Sequence, residues 1–269
     1  MKLIIHSVGD VAGSNIARII VERHGFTESG EKYGGRPVYG RGDVLLMSTD
    51  DSVLYLKDLP YNPEVCVVAS RHRSESGNAT LTCHPTGNFG EAQMGGSEGV
   101  LQLTDALYLR QCLLLLQRKK AEMNLPYEVS LEVTHHGPSG LPFPLLFVEV
   151  GGSVEHWSDM DACGAVADAI SFLMLEEVED KQSAIGFGGP HYAPNFSSLS
   201  GEYALGHIMP KYSAEHLTRE MVGEMVEKTQ PRPEVAVVDW KGLKGGEKAK
   251  LGGIADELSL KIVRTSELK

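Results

Sequence analysis

The chain has no apolar run long enough to cross a membrane, and its four cysteines form no C-x-x-C pair. A helix that spans a bilayer needs roughly 20 apolar residues, and no segment approaches that length. The opening sequence MKLIIHSVGD turns polar too soon for a secretory signal. Cys66, Cys83, Cys112 and Cys163 are scattered and lie partly in core-like runs. We therefore expect a reduced, cytoplasmic protein that does not enter a membrane.

Two motifs that identify common nucleotide-binding enzymes are also missing. The chain has no G-x-G-x-x-G that opens a helix and no G-K-[ST] of a phosphate-binding loop. Its net charge of −11 excludes a generally basic nucleic-acid-binding surface. A local basic segment remains, because residues 240–269 carry seven positive and four negative side chains. Such a segment is more often a solvated face than a docking site.

Apolar strand-like runs alternate with helical patterns along the whole chain. The clearest strands are residues 2–8, 43–48, 65–70, 127–134, 144–150 and 184–187, and the clearest helices are residues 10–25, 104–122, 158–179 and 213–228. This order predicts the α/β class, with a three-layer α/β/α sandwich on a mainly parallel sheet. No repeat or linker divides the chain, so we expect residues 1–269 to form a single domain, and by default a monomer.

A long, polar, glycine-rich segment at residues 71–99 is predicted to be a functional loop, because structureless loops of this length are uncommon in compact domains. His72 and Glu75 have a spacing compatible with two ligands of one zinc ion, and His84 is a candidate third ligand. H-x-x-E also occurs often by chance. Its position directly after a predicted strand favours the metal interpretation, and Asn88 is a candidate for substrate binding.

Two adjacent histidines follow the strand predicted at residues 127–134. His135 and His136 precede a Gly-Pro turn, and an imidazole there can act as base, proton shuttle or metal ligand. The structural alternative is a turn with one exposed and one packed histidine. For this pair alone we would favour that alternative, but the neighbouring motifs favour a site.

A carboxylate interrupts the apolar strand P-L-L-F-V-E-V. Glu149 shares a face with Phe147 and Leu145, and burial of a carboxylate is costly unless it is paired, protonated or bound to a metal. The alternative is an edge strand with Glu149 in water, and we favour the functional interpretation. The same two interpretations apply to Glu132, for which the functional one is less strongly indicated.

The segment G-F-G-G-P-H-Y-A-P also follows a predicted strand. The amides of Gly188 and Gly189 could approach a developing oxyanion, and His191 lies at the tip of the loop. Because parallel strands present reactive groups at their carboxyl ends, we expect all these groups at one edge of the sheet. Glu149, His135, His136 or His191 would then act as the general base on an attacking water molecule.

Five motifs occur in order: S-R-H-R-S-E-S-G, L-T-C-H-P-T-G-N, E-V-T-H-H-G-P, F-V-E-V-G-G-S-V-E-H-W and G-F-G-G-P-H-Y-A-P. With them the sequence resembles, over nearly its whole length, the archaeal and plant type of D-aminoacyl-tRNA deacylase. The resemblance implies hydrolysis of the ester between a D-amino acid and the 3′ end of tRNA. It also implies zinc and a fold like the phosphorylase/peptidyl-tRNA hydrolase sandwich.

A tRNA substrate has to be reconciled with the acidic chain. We expect only the acceptor end to dock, through Arg71, Arg73 and the basic segment at residues 240–269. Two other functions fit the same residues. One is a zinc amidohydrolase or peptidase that acts on N-acyl amino acids or peptides, and the other is a non-enzymatic binding protein whose histidines are structural.

Overall fold

The computed structural model describes residues 1–73 and 77–268. In chain order its strands are β1 (Lys2–Ser7), β2 (Thr27–Tyr33), β3 (Arg36–Arg41), β4 (Val44–Thr49), β5 (Cys66–Arg73), β6 (Thr80–His84), β7 (Thr104–Asp105), β8 (Glu128–Leu131), β9 (Leu145–Gly152), β10 (Ser183–Phe187), β11 (Ala204–Met209), β12 (Thr229–Gln230), β13 (Val235–Val238) and β14 (Lys261–Arg264). Its α-helices are α1 (Val11–Arg23), α2 (Ala106–Glu122), α3 (Val154–Trp157), α4 (Met160–Leu175), α5 (Pro194–Ser197), α6 (Arg219–Glu227) and α7 (Gly245–Glu257).

The larger sheet runs β2-β3-β4-β1-β5-β9-β6-β8 within the described residues. Strands β4, β1, β5 and β9 are parallel to one another. Strand β6 pairs antiparallel with β9, and β8 runs parallel to β6. Strands β5 and β9 therefore end at one edge of the sheet, whereas β6 and β8 end at the opposite edge.

A second, smaller sheet is fully parallel over the part of the chain that the structure describes. Its order is β11-β10-β13-β14. The short strands β7 and β12 form a separate parallel pair. The sheets are joined by helix α2, which lies against β6 and β8 of the larger sheet and against β11 of the smaller one.

The helices cover the sheets unequally. One face of the larger sheet packs its buried Ile4, Val67 and Val148 with helices α1, α2 and α4 in the main core. The other face, which carries Val68 and Phe147, is covered by loop residues rather than by a long helix. Helices α6 and α7 pack on the outer face of the smaller sheet. The predicted α/β sandwich with a mixed, mainly parallel sheet is confirmed, although its strands belong to two sheets.

Several local predictions have different bounds. The segment at residues 71–99, predicted as one loop, contains β6, whose five residues T-L-T-C-H are all buried between neighbouring strands. The predicted helix at 158–179 is shorter, because the Asp159 side chain accepts from the amides of Asp161 and Ala162 and so starts α4 at Met160. None of the helices in the described residues is both long and apolar enough to cross a membrane.

Candidate metal and catalytic centre

Side chains that can bind a metal converge on the loop-covered face of the larger sheet. Among the described residues these are His72, His84, Glu132, His135, His136, Glu149 and His191. They come from parts of the chain more than 100 residues apart in sequence, at the ends of β5 and β6, in β9, and in the loops that follow β8 and β10. We call this set the His/Glu cluster.

Strand register places part of the cluster. Glu149 pairs with Thr82 across the antiparallel β9–β6 ladder, and His84 pairs with Phe147. Residues two apart on a strand share a face, so Glu149 and His84 project from the same side of the sheet. The Oε2 atom of Glu149 lies 3.3 Å from His84 Nε2 and 3.4 Å from His72 Nδ1. The buried Glu149 carboxylate thus contacts side chains from the ends of both β5 and β6.

Glu132, the first residue after β8, makes the second junction. Its Oε2 atom lies 2.9 Å from His191 Nε2, 3.4 Å from His72 Nδ1 and 3.5 Å from His135 Nε2. A backbone hydrogen bond holds Glu132 and His191 near each other, because the Val133 amide donates to the His191 carbonyl at 3.0 Å. Sequence reasoning ranked this residue below Glu149, yet it contacts more histidines.

A turn brings His135 and His136 to the same place. On an extended strand adjacent side chains point to opposite faces, but β8 already ends at Leu131 and His136 has a φ of 43°. The centroid of the His135 ring consequently lies 4.3 Å from that of His136 and 4.3 Å from that of His84. The early end of the strand therefore lets both imidazoles enter the cluster.

The prediction that the reactive groups meet at one edge of a parallel sheet is wrong. Strand β6, which carries His84, and strand β8 run antiparallel to β5 and β9. His72 lies near the end of β5 and His84 at the end of β6, and these two strands run in opposite directions. The two side chains meet on the face of the sheet because both strands pair with β9 beside Glu149.

Both carboxylates of the cluster are buried. Glu132 is 0% exposed and Glu149 is 2% exposed. Burial by itself raises the pKa of a carboxyl group, but the neighbouring histidines outweigh it. His191, His84 and His72 hold the pKa of Glu132 below its ordinary value. His72 and His84 hold the pKa of Glu149 far below its own.

The pKa values of the histidines are shifted in opposite directions. Burial lowers the pKa of His72, but the hydrogen bond to Glu149 and the charge of Glu132 outweigh it and raise the value to about 9. Burial and the charge of His84 lower the pKa of His136 to about 4. Burial and three neighbouring imidazoles hold the pKa of His135 well below its ordinary value. His135 and His136 are therefore neutral, which is the form that binds metals.

Hydrogen bonds also fix which ring nitrogen faces inward. His135 and His136 each donate Nδ1–H to a backbone carbonyl within two residues, at 2.8 and 2.7 Å, so each Nε2 atom carries a lone pair. His84 donates Nδ1–H to the Pro85 carbonyl at 3.1 Å and directs Nε2 at Glu149 Oε2. A histidine that binds a metal commonly donates its other ring N–H to a carbonyl in this way, which holds the ring in place.

The cluster fits a metal ion on the chemistry of its donors. Ligand atoms of His72, Glu132, His135 and His191 all lie within 4.8 Å of one another, and overlapping sets include His84. The buried Oε1 atom of Glu132 has no hydrogen-bond partner among the described residues. No cysteine joins these sets within the described chain. The donors are therefore imidazole and carboxylate, a set that zinc accepts.

Several predicted residues lie elsewhere. Glu75 is outside the described residues. Asn88, predicted to bind substrate, is buried, and its Nδ2 atom donates to the carbonyls of Gly95 and Ser97 at 2.9 and 3.3 Å. Its amide nitrogen thus holds the loop that follows β6.

The predicted oxyanion site at Gly188 is also wrong. The Gly188 amide donates to the Met209 carbonyl at 2.8 Å, so it has no hydrogen left for a ligand. The amide nitrogen of Gly189 is covered by Gly242, where an added Cβ atom would lie 2.6 Å from it. Both glycines have positive φ angles, 93° and 83°. Their conformational freedom turns the chain toward His191 rather than binding substrate.

A cavity of about 820 Å³ opens beside the cluster. Its lining includes His72, His135, His136, Glu149 and His191. The predicted substrate-binding residues Arg71 and Arg73 also line it. The candidate centre is therefore accessible to a ligand of nucleotide size, while its two carboxylates remain buried.

Comparisons with known proteins agree with the motif-based prediction. A family model described as D-aminoacyl-tRNA deacylase matches residues 59–263. The D-aminoacyl-tRNA deacylases of Thermococcus onnurineus and Pyrococcus abyssi are 37% and 35% identical, and each alignment covers 98% of this chain and 100% of the relative. The crystal structure of AF0625, a conserved protein of unknown function, has a TM-score of 0.92 and 28% identity, covering 100% of this chain and 96% of that one. The chain belongs to the D-aminoacyl-tRNA deacylase family.

Proposed function

We propose that the protein hydrolyses the ester bond between a D-amino acid and the 3′ end of tRNA, releasing the free amino acid and tRNA. The observation that carries the proposal is a buried His/Glu cluster beside a cavity of about 820 Å³, in a chain of the deacylase family. The partner is the acceptor end of D-aminoacyl-tRNA. Such a protein acts in the cytosol, and we propose that it acts as a monomer.

Zinc is the metal that we propose for the cluster. The donor atoms of His72, Glu132, His135 and His191 lie within 4.8 Å of one another, and three of them would hold a catalytic zinc ion and leave its fourth position for water or substrate. When bound there, zinc would polarise the ester carbonyl and lower the pKa of the attacking water to about 7. Glu149 contacts His72 and His84 and would hold both imidazoles in position.

His136 is the residue that we propose as general base. It lines the cavity, and its Nδ1–H is committed to the Gly137 carbonyl at 2.7 Å. Its Nε2 atom can therefore accept the proton of the attacking water as the C–O bond to the acyl carbon forms. The same atom would return that proton to the ribose oxygen as the ester bond breaks. Of the predicted alternatives, His135 and His191 have their Nε2 atoms directed at Glu132, and Glu149 has its Oε2 atom directed at His72.

The acidic chain and the polyanionic substrate are reconciled if only the acceptor end docks. Arg71 and Arg73 line the cavity and are exposed. The basic segment at residues 240–269 is the second region that we propose for phosphate contacts. Since such contacts release counterions, the KM for tRNA should rise with salt.

Matched D- and L-aminoacyl-tRNA, with and without a chelator, test the function. We expect hydrolysis of the D-substrate, loss of activity with the chelator, and recovery when zinc is added back. The variant His136→Gln should lose activity by about 10²- to 10⁴-fold, the usual contribution of a general base. His216→Gln removes a histidine outside the cluster and serves as the control.

The outcomes separate the rival functions. Turnover of peptides or N-acyl amino acids without turnover of aminoacyl-tRNA would support an amidohydrolase or peptidase instead. Absence of both bound zinc and any turnover would support a binding protein.

A further inference from the structure

The lining of the cavity beside the His/Glu cluster contains two chemically different sets of residues. The first is Val53, Leu54 and Met94, which we call the apolar wall, and Asp50 and Ser52 line the cavity next to it in sequence. The second is Ser7, Gly9, Ser70, Arg71 and Arg73, which we call the polar wall. An ester of an amino acid with a nucleotide also has two different parts, and the reacting carbonyl lies between them.

The apolar wall is built onto the His136 end of the cluster. Gly137, the next residue, donates its amide to the Met94 carbonyl at 2.9 Å. An added Cβ atom at Gly137 would lie 2.4 Å from the Leu54 carbonyl oxygen, so these backbones are in direct contact. Asn88 anchors the residue after Met94 through its bond to the Gly95 carbonyl. The wall is therefore fixed relative to His136.

Met94 exposes an apolar surface into this cavity. Its side chain is 54% exposed, although methionine stabilises a protein mainly when it is buried. Methionine is also unbranched and adaptable, so it can pack against side chains of different shapes. Such a residue beside a reactive centre suits an apolar group of variable size.

The polar wall is built onto the His72 end. Arg71 and Ser70 directly precede His72 in β5. The Asp10 carboxylate holds both, accepting from Ser70 Oγ at 2.9 Å and from the Arg71 amide at 3.0 Å. Its other oxygen accepts from the Gly13 amide at 2.9 Å. The Arg71 guanidinium packs over the Trp157 ring at 5.0 Å and remains exposed.

The two walls adjoin different histidines of the cluster. The apolar wall contacts Gly137, next to His136, and Ser70 and Arg71 of the polar wall precede His72. The His135 ring is near both imidazoles, with its centroid 4.3 Å from that of His136 and 6.4 Å from that of His72.

On the basis of the function proposed above, we propose that the apolar wall binds the amino-acid side chain and that the polar wall binds the 3′-terminal nucleotide. Arg71 and Arg73 would contact its phosphate, and Ser7 and Ser70 its ribose. Guanidinium groups and hydroxyls are the donors that recognise these groups. Met94 and Leu54 would then set the preference among D-amino acids.

The apolar wall is tested by the ratio of kcat/KM for D-Tyr-tRNA to that for D-Ala-tRNA. The variant Met94→Ala should lower this ratio about tenfold, because a lost apolar contact of a few carbon atoms discriminates by that order. Leu54→Ala should act in the same direction. The control Met123→Ala removes a methionine that is 37% exposed at the end of α2 and should leave the ratio at its wild-type value.

The polar wall is tested with adenosine 5′-monophosphate as a competitive inhibitor. The variant Arg71→Gln should raise its inhibition constant about tenfold, the order expected when one hydrogen bond to a charged group is lost. Arg118→Gln, an exposed arginine on α2, is the matched control. The D-Tyr to D-Ala ratio should stay within twofold of wild type in Arg71→Gln, since this side does not contact the amino acid.

The outcomes separate this inference from the function on which it rests. If the wild-type protein does not hydrolyse D-aminoacyl-tRNA, the proposed function is wrong. If it does, an unchanged ratio in both Met94→Ala and Leu54→Ala overturns the apolar assignment. Failure of adenosine monophosphate to inhibit the wild-type protein, or inhibition unchanged by Arg71→Gln, overturns the polar one.

Discussion

Glutamine in place of Glu132 would test the centre most directly. The substitution Glu132→Gln keeps the size and shape of a side chain that is 0% exposed, and it removes the negative charge. That charge lies within 3.5 Å of nitrogen atoms of His191, His72 and His135. The amide also offers hydrogen atoms where the carboxylate offered only lone pairs. Three imidazoles therefore lose the negative charge that they share.

The magnitude follows from the burial. Removal of one partner from a buried ionic contact typically costs about 3–5 kcal/mol, and each 1.4 kcal/mol is about a factor of ten. We therefore expect zinc affinity to fall by about 10²- to 4 × 10³-fold, and kcat at limiting zinc to fall with it. Zinc competition against a chromophoric chelator measures the affinity, and initial rates on D-aminoacyl-tRNA measure the activity.

The control for this experiment lies on the same strand. Glu128→Gln makes the same chemical change at the exposed first residue of β8 and should behave as the wild-type protein. Circular dichroism and thermal unfolding of both metal-free variants separate loss of metal from loss of fold. If Glu132→Gln binds zinc as tightly as Glu128→Gln and hydrolyses the substrate at the same rate, Glu132 does not hold the metal.

Three further predictions concern the fold and the substrate. Gly137→Ala would place a Cβ atom 2.3 Å from Gly96 N, so the free energy of unfolding should fall by about 1–3 kcal/mol. Gly201→Ala places its Cβ atom in open space and should not lower the melting temperature. Burial lowers the pKa of His207 to about 4, so the unfolded chain binds a proton that the folded one excludes between pH 6.5 and 4. Stability should fall by about 3 kcal/mol as pH drops through that window, and urea unfolding of His207→Gln should lack this contribution. Added salt should raise the KM for D-aminoacyl-tRNA less in Arg71→Gln than in the wild-type protein, and equal salt dependence would contradict phosphate contact by Arg71.

Much of the fold could be predicted from local patterns. The strand that contains Glu149 and the helix that follows β7 are strongly apolar runs, and their type was predicted correctly. Strand β6 was missed because its five residues lie within a long polar and glycine-rich segment, and only the neighbours β9 and β8 make it a central strand. Burial by distant strands is not visible in a short window of sequence.

The residues of the site were easier to find than their roles. His72, His135, His136, Glu149 and His191 were singled out because each polar side chain follows or interrupts an apolar run, and His84 because it lies in the polar segment that contains His72. These six residues lie together. Gly188 was assigned to substrate because a glycine amide after a strand can approach a developing oxyanion, and Asn88 because it lies in the polar segment at residues 71–99. In the structure the Gly188 amide bonds to Met209 and the Asn88 amide bonds to Gly95 and Ser97. Hydrogen-bond partners far along the chain decide such roles, and a motif does not contain them.

By itself the sequence determined the α/β class, the family through five ordered motifs, and the chemical identity of the donors. The tertiary structure decided that Glu132 is a junction of the cluster, because only the antiparallel overlap of β6 and β8 with β9 carries it to His72 and His191. It also decided that apolar and polar residues from distant parts of the chain line one cavity. Strand direction depends on long-range pairing, whereas the type of each side chain is local, so the sequence specifies the donors without specifying where they meet.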